Sequence, residues 1–94
     1  MDVQSRQHEL RHLLSATGRA HHSVYGGPNP GWSRWYAEHM YGQGLRLLES
    51  NPSVDTLQEW LVRADERYRA EAPEGSWPGA YATWILEWDE TAVS

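Results

Sequence analysis

The 94-residue chain contains no cysteine, no lysine and no phenylalanine. Without cysteine, it can form no disulfide, no thiolate metal site and no cysteine nucleophile. Residues 1–4 show no basic stretch followed by an apolar one, and no apolar run approaches the roughly 20 residues that a membrane span needs. We therefore expect a soluble, cytoplasmic protein with no membrane partner.

Positive charge is also scarce, because eight basic residues face thirteen acidic ones and the formal net charge is −5. Binding to a nucleic-acid backbone requires clustered cationic charge, so the composition argues against a nucleic-acid partner. An acidic mimic of nucleic acid is disfavoured as well, since the carboxylates alternate with arginines along the chain.

Large aromatic residues are abundant, with six tryptophans and five tyrosines. Each would bury about 150–250 Å² in an interior, so they can supply much of a small core. A chain of this length buries only roughly 60% of its unfolded surface or a little more, which predicts modest stability unless copies associate. A homodimer is therefore one expected state.

The spacing of apolar residues predicts four helices separated by turns rich in proline, glycine and asparagine. The first covers about residues 2–25, and Gly26 and Gly27 end it because glycine tolerates the left-handed conformation of a helix C-cap. Residues spaced three and four positions apart are predicted to form one core-facing seam on this helix. They are Val3, Gln7, Leu10, Leu14, Thr17, His21 and Val24.

The later helices have their own start and stop signals. We expect Asn29 to cap the second helix, which bends or frays near Gly42 and Gly44 because glycine is a poor helix former. Ser53 or Asp55 caps the third helix. Ser76 is expected to cap the fourth, which ends in the acidic residues Glu87, Asp89 and Glu90.

An internal repeat organises these helices, because Trp32, Tyr36 and Ala37 correspond to Trp77, Tyr81 and Ala82. It predicts one all-α domain over residues 1–94, an antiparallel four-helix bundle built from two pseudo-symmetric αα-hairpins at about residues 2–49 and 53–90. Acidic residues near a helix C-terminus oppose the helix dipole, so residues 91–94 are expected to form a frayed tail.

The segment from His8 to His12 has the spacing of an H-E-x-x-H zinc motif. Helical geometry places His8 and His12 on the face opposite Leu10 and Leu14, where they point to solvent. We expect them to bind metal adventitiously at most, with no peptidase site around them.

Three further histidines have two interpretations. His21 lies on the core seam and most simply is a buried histidine that hydrogen-bonds a tyrosine hydroxyl or a loop carbonyl. Alternatively, His21, His22 and His39 converge with a carboxylate such as Glu38 or Glu71 to hold a metal or to act as acid and base. Adjacent histidines diverge on a helix, so His21 and His39 are only weak metal candidates, and no cofactor is predicted.

The aromatic residues also have two interpretations. An aromatic stripe at helical spacing is usually core, but it can line a pocket for an apolar, aromatic or cationic ligand, and a neighbouring arginine can anchor a carboxylate or phosphate. The candidate ligand-binding or interaction residues are His21, His22, Tyr25, Trp32, Trp35, Tyr36, His39, Tyr68, Arg69, Trp77 and Tyr81.

Four short motifs resemble those of a group of short bacterial helical proteins of unknown function. They are Ala20-His21-His22, the segment from Pro30 to Ala37, Ala64-Asp65-Glu66, and Ser76-Trp77-Pro78 with Tyr81-Ala82. The resemblance covers roughly residues 14–86. It implies a small stand-alone helical protein and assigns no catalytic residue.

Two functions follow from the sequence. The first is a small non-enzymatic binding or interaction module that recognises an unknown protein or small molecule through a Trp/Tyr-rich surface, since tryptophan, tyrosine and arginine dominate interface hot spots. The alternative is a small enzyme or metalloprotein that uses His21, His22 and His39 beside an aromatic pocket.

Overall fold

A computed structural model describes residues 3–27, 29–43, 47–71 and 75–93. These residues form four helices and no strand: α1 (Val3–Tyr25), α2 (Trp32–Gly42), α3 (Val54–Glu71) and α4 (Trp77–Val93). The all-α class with four helices is therefore confirmed. The predicted fraying point at Gly44 lies outside the described residues.

The end of α1 matches its prediction, whereas the start of α2 does not. Gly26 has a φ of 73° and donates its N–H to the carbonyl of His22 at 2.7 Å, which terminates α1. The prediction that Asn29 caps α2 is wrong, because its Oδ1 accepts the Gly31 N–H at 3.1 Å in a local turn. The helix begins at Trp32, two residues later than Pro30, with no side-chain cap.

A serine caps the start of α3, and a threonine forms a hydrogen bond in the last turns of α4. Ser53 accepts the Thr56 N–H at 3.1 Å, so Ser53 and not Asp55 caps α3. The described residues of the predicted frayed tail are helical, since α4 continues to Val93 and Thr91 bonds the carbonyl of Glu87 at 3.0 Å.

The contacts of Asp89 stabilise the end of α4 despite its acidic residues. Its carboxylate is fully buried and accepts from Arg6 at 3.1 Å, from the N–H groups of Glu49 and Ser50 at 2.8 and 2.9 Å, and from the Ser50 hydroxyl at 2.5 Å. Arg6 also donates to the carbonyl of Leu47 at 3.0 Å. The charge is therefore compensated by α1 and by the turn after α2.

The helices pack in a ring, in which α1 contacts α2 and α4, and α3 contacts the same two helices. This arrangement is consistent with a bundle. Within the seam of α1, Leu10, Leu14, Thr17 and His21 are buried, but Val24 is 63% exposed, contrary to its predicted core position. Side chains with no exposed surface fill the centre: Leu10, Leu14, Ala37, Met40, Leu57, Leu61, Ala82 and Ile85.

Among the described residues, no helix has both the length and the apolar character to cross a bilayer.

Candidate functional site

An open cavity of about 750 Å³ lies where all four helices meet the turn between α1 and α2. We call it the aromatic groove. Most of the candidate residues predicted from sequence line it, namely His21, His22, Trp32, Tyr36, Tyr68, Arg69, Trp77 and Tyr81. Five lining residues were not among the candidates: Gly18, Gly27, Asn29, Pro30 and Asp65.

The two copies of the repeated motif meet in this groove. The rings of Trp32 and Tyr36 lie edge to face with centroids 5.2 Å apart, and those of Trp77 and Tyr81 do the same at 5.0 Å. Tyr36 and Trp77 join the two pairs at 6.1 Å. Such contacts are each worth about 0.5–1.5 kcal/mol beyond their buried area, so the wall holds its shape.

Gly18 of α1 forms part of the same wall. A Cβ at this position would lie 2.9 Å from Cζ2 of Trp77 and 3.3 Å from the hydroxyl oxygen of Tyr36. Only a residue without a side chain lets both rings pack this closely against α1. An isolated glycine inside a helical pattern was the signal in the sequence that could have indicated this role.

His21 is enclosed by other rings on the inner side of the groove. It is 6% exposed, and its ring centroid lies 4.9 Å from that of Tyr25, 5.3 Å from Trp35 and 5.4 Å from Tyr36. Its Nε2 atom is buried without a hydrogen-bond partner among the described residues. The prediction of a core position is confirmed, whereas the expected bond to a hydroxyl or carbonyl is missing at Nε2.

Asp65 supplies the negative charge of the groove. The Tyr81 hydroxyl donates to its Oδ1 at 2.8 Å, and Arg69 donates to its Oδ2. Burial raises the pKa of Tyr81, and the hydrogen bond to Asp65 raises it further. Asp65 was not among the candidate residues predicted from sequence, although its side chain is only 22% exposed. The sequence signal that could have indicated its pairing was its position four residues, about one helical turn, before Arg69.

The remaining candidates do not line the groove. His39 stacks on Trp35 with centroids 5.0 Å apart, and Tyr25 is 49% exposed at the end of α1. The proposed carboxylate partners pair elsewhere, Glu38 with Arg34 and Glu71 with Arg67. Within the described part of the chain, no three His, Asp or Glu side chains are placed to hold a metal ion.

His8 and His12 are exposed on α1, on the face predicted from the helical spacing. Their ring centroids lie 4.4 Å apart, and His8 Nδ1 lies 3.1 Å from a guanidinium nitrogen of Arg11. Neither histidine lines the aromatic groove.

No protein-family model, no curated protein and no solved structure matches this chain. The resemblance to short bacterial helical proteins therefore stays a prediction.

Proposed function

We propose that this protein is a small non-enzymatic binding module whose aromatic groove takes up a small molecule with a planar aromatic ring system. The observation that carries the proposal is an open cavity of about 750 Å³ walled by Trp32, Tyr36, Tyr68, Trp77 and Tyr81. Ligand pockets typically measure about 300–1,000 Å³, with apolar and aromatic walls and few polar groups. A planar ring system can stack on these walls and displace water from them.

The polar groups of the groove favour binding over catalysis. Asp65 is already engaged by Tyr81 and Arg69, so it has little freedom to take a proton from a substrate. Nucleophilic catalysis requires a nucleophile beside a base, and among the described residues that line the aromatic groove there is no serine or threonine.

We further propose that the four helices form an antiparallel bundle of two pseudo-symmetric hairpins. Two similarities support this arrangement: Trp32–Tyr36 and Trp77–Tyr81 have nearly equal ring separations, 5.2 and 5.0 Å, and Ala37 and Ala82 are both fully buried. In this arrangement the groove is built from the same motif used twice.

We also propose that the protein associates into a homodimer through the end of α1. Val24 is 63% exposed and Tyr25 is 49% exposed at the end of α1. Covering them with a second copy would remove apolar surface from water. A native mass spectrum of the untagged protein distinguishes the dimer from the monomer, and Val24→Asp should shift the population to the monomer.

Calorimetric titration with 2-naphthamide, a neutral aromatic probe, tests the binding proposal. Trp77→Leu should weaken binding by about tenfold, which corresponds to roughly 1.4 kcal/mol, because the indole forms part of the wall. Trp88→Leu is the matched control, since Trp88 lies on the same helix under Arg63 and away from the groove. Equal affinity of both variants, or no binding to the unmodified protein, would overturn the proposal.

A further inference from the structure

The aromatic groove continues along α1 into a second depression of about 390 Å³. Gly18, His22, Tyr36 and Trp77 line both. The second depression adds Ser15, Arg19 and Pro78 to this shared wall. A molecule lying on Tyr36 and Trp77 therefore has Arg19 and His22 at one end of its binding surface.

Arg19 differs from most arginines of the chain. The guanidinium groups of Arg6, Arg34, Arg63, Arg67 and Arg69 each pair with a carboxylate. By contrast, Arg19 donates only to the Ser15 hydroxyl at 3.0 Å, with no ion pair to any described residue. Its positive charge is available to a ligand.

His22 strengthens this local preference for an anion. It is exposed and lies three positions after Arg19 on α1, so the two side chains are neighbours on the helix surface. The carboxylate of the groove, Asp65, is already neutralised by Arg69. Among the described residues that line the two depressions, no carboxylate other than the paired Asp65 opposes an anion near Arg19 and His22, although the net charge of the chain is −5.

We infer that the extended groove binds a planar aromatic carboxylate. This inference rests on the proposed binding function and specifies its ligand. The ring system packs on Trp77 and Tyr36, while the carboxylate accepts from Arg19 and His22 through charge-assisted hydrogen bonds. A single negative charge fits better than a doubly charged phosphate, because one unpaired guanidinium has to offset the repulsion of an acidic protein.

The test compares 2-naphthoate with 2-naphthamide, which differ in charge but share one ring system. Calorimetric titration of the unmodified protein should give a Kd about tenfold lower for the carboxylate, as expected for one charge-assisted contact. Arg19→Gln should bring the two affinities to within about twofold of each other. Arg11→Gln is the matched control: it removes the same charge from α1 at an exposed position outside both depressions and should preserve the difference.

Different results of these titrations would overturn the carboxylate site alone or the binding function of the aromatic groove. Equal affinity for the two probes, or an undiminished preference in Arg19→Gln, overturns the carboxylate site and leaves the aromatic groove intact. Equal losses in Arg19→Gln and Arg11→Gln show that net charge and not a specific contact sets the preference, which also overturns the inference. Absence of binding by both probes overturns the binding function itself.

Discussion

Gly18 of α1 and Trp77 of α4 are in such close contact that a Cβ on Gly18 would lie 2.9 Å from Cζ2 of the indole. Glycine inside a helix costs about 1 kcal/mol relative to alanine, so it weakens α1 locally. The close approach explains its presence: the missing side chain leaves room for the wall of the aromatic groove. The contact thus links the sequence of α1 to the shape of the proposed binding surface.

Replacing Gly18 by alanine should therefore change binding more than stability. The methyl group adds helix propensity but pushes the indole of Trp77 aside, so the free energy of unfolding should change by less than about 1 kcal/mol. Affinity for 2-naphthamide should fall several-fold. Gly42→Ala is the control, because nothing lies within 4 Å of its added Cβ. Urea unfolding and calorimetry measure both effects, and unchanged affinity in Gly18→Ala would contradict the account.

Asp89→Asn should be strongly destabilising. The carboxylate is fully buried and neutralises Arg6, whose side chain is 15% exposed. Breaking a buried ion pair typically lowers the free energy of unfolding by about 3–5 kcal/mol. Because Arg6 would still pair with Glu49, 3.3 Å away, we expect a loss near the lower value. Glu87→Gln removes the same charge from the exposed face of α4 and should stay within about 0.5 kcal/mol of the unmodified protein. Similar urea midpoints for the two variants would show that the buried pair does not hold α4.

Stability should fall above pH 10. Burial raises the pKa of Tyr36, Tyr41 and Tyr81 from the ordinary value of 10.0, so the folded state keeps protons that the unfolded state has begun to lose. Their contribution is complete below pH 10 and is lost as the pH rises through the raised pKa values of the folded state. Tyr81→Phe removes one of these groups and should make the decrease shallower in urea unfolding between pH 9 and 11. An identical slope in this variant would contradict the assignment.

Local signals predicted the elements of this fold well. The four helices, the end of α1 at Gly26 and the cap at Ser53 depend on residues close together in sequence. Helical spacing also placed His21 in the interior, because the seam of a helix can be read from its own sequence.

The errors concern residues whose surroundings come from distant segments. The contacts that Asp65 and Asp89 make with other segments were not predicted, because the sequence of one helix does not show which residues of the others lie against it. Their partners include Tyr81, 16 positions away, and Arg6, 83 positions away, and only the packing of the helices brings them together. The role of Gly18 was missed for the same reason, because Trp77 belongs to another helix.

The most direct test of the proposed binding surface is an NMR titration of the protein with 2-naphthamide, followed through the indole N–H signals of its six tryptophans. Trp32 and Trp77 line the aromatic groove, whereas Trp60, Trp84 and Trp88 do not and serve as internal controls. We predict saturable shifts of the Trp32 and Trp77 signals, with the three controls unchanged. Shifts confined to the control indoles, or no saturable shift of Trp32 and Trp77, would contradict the account.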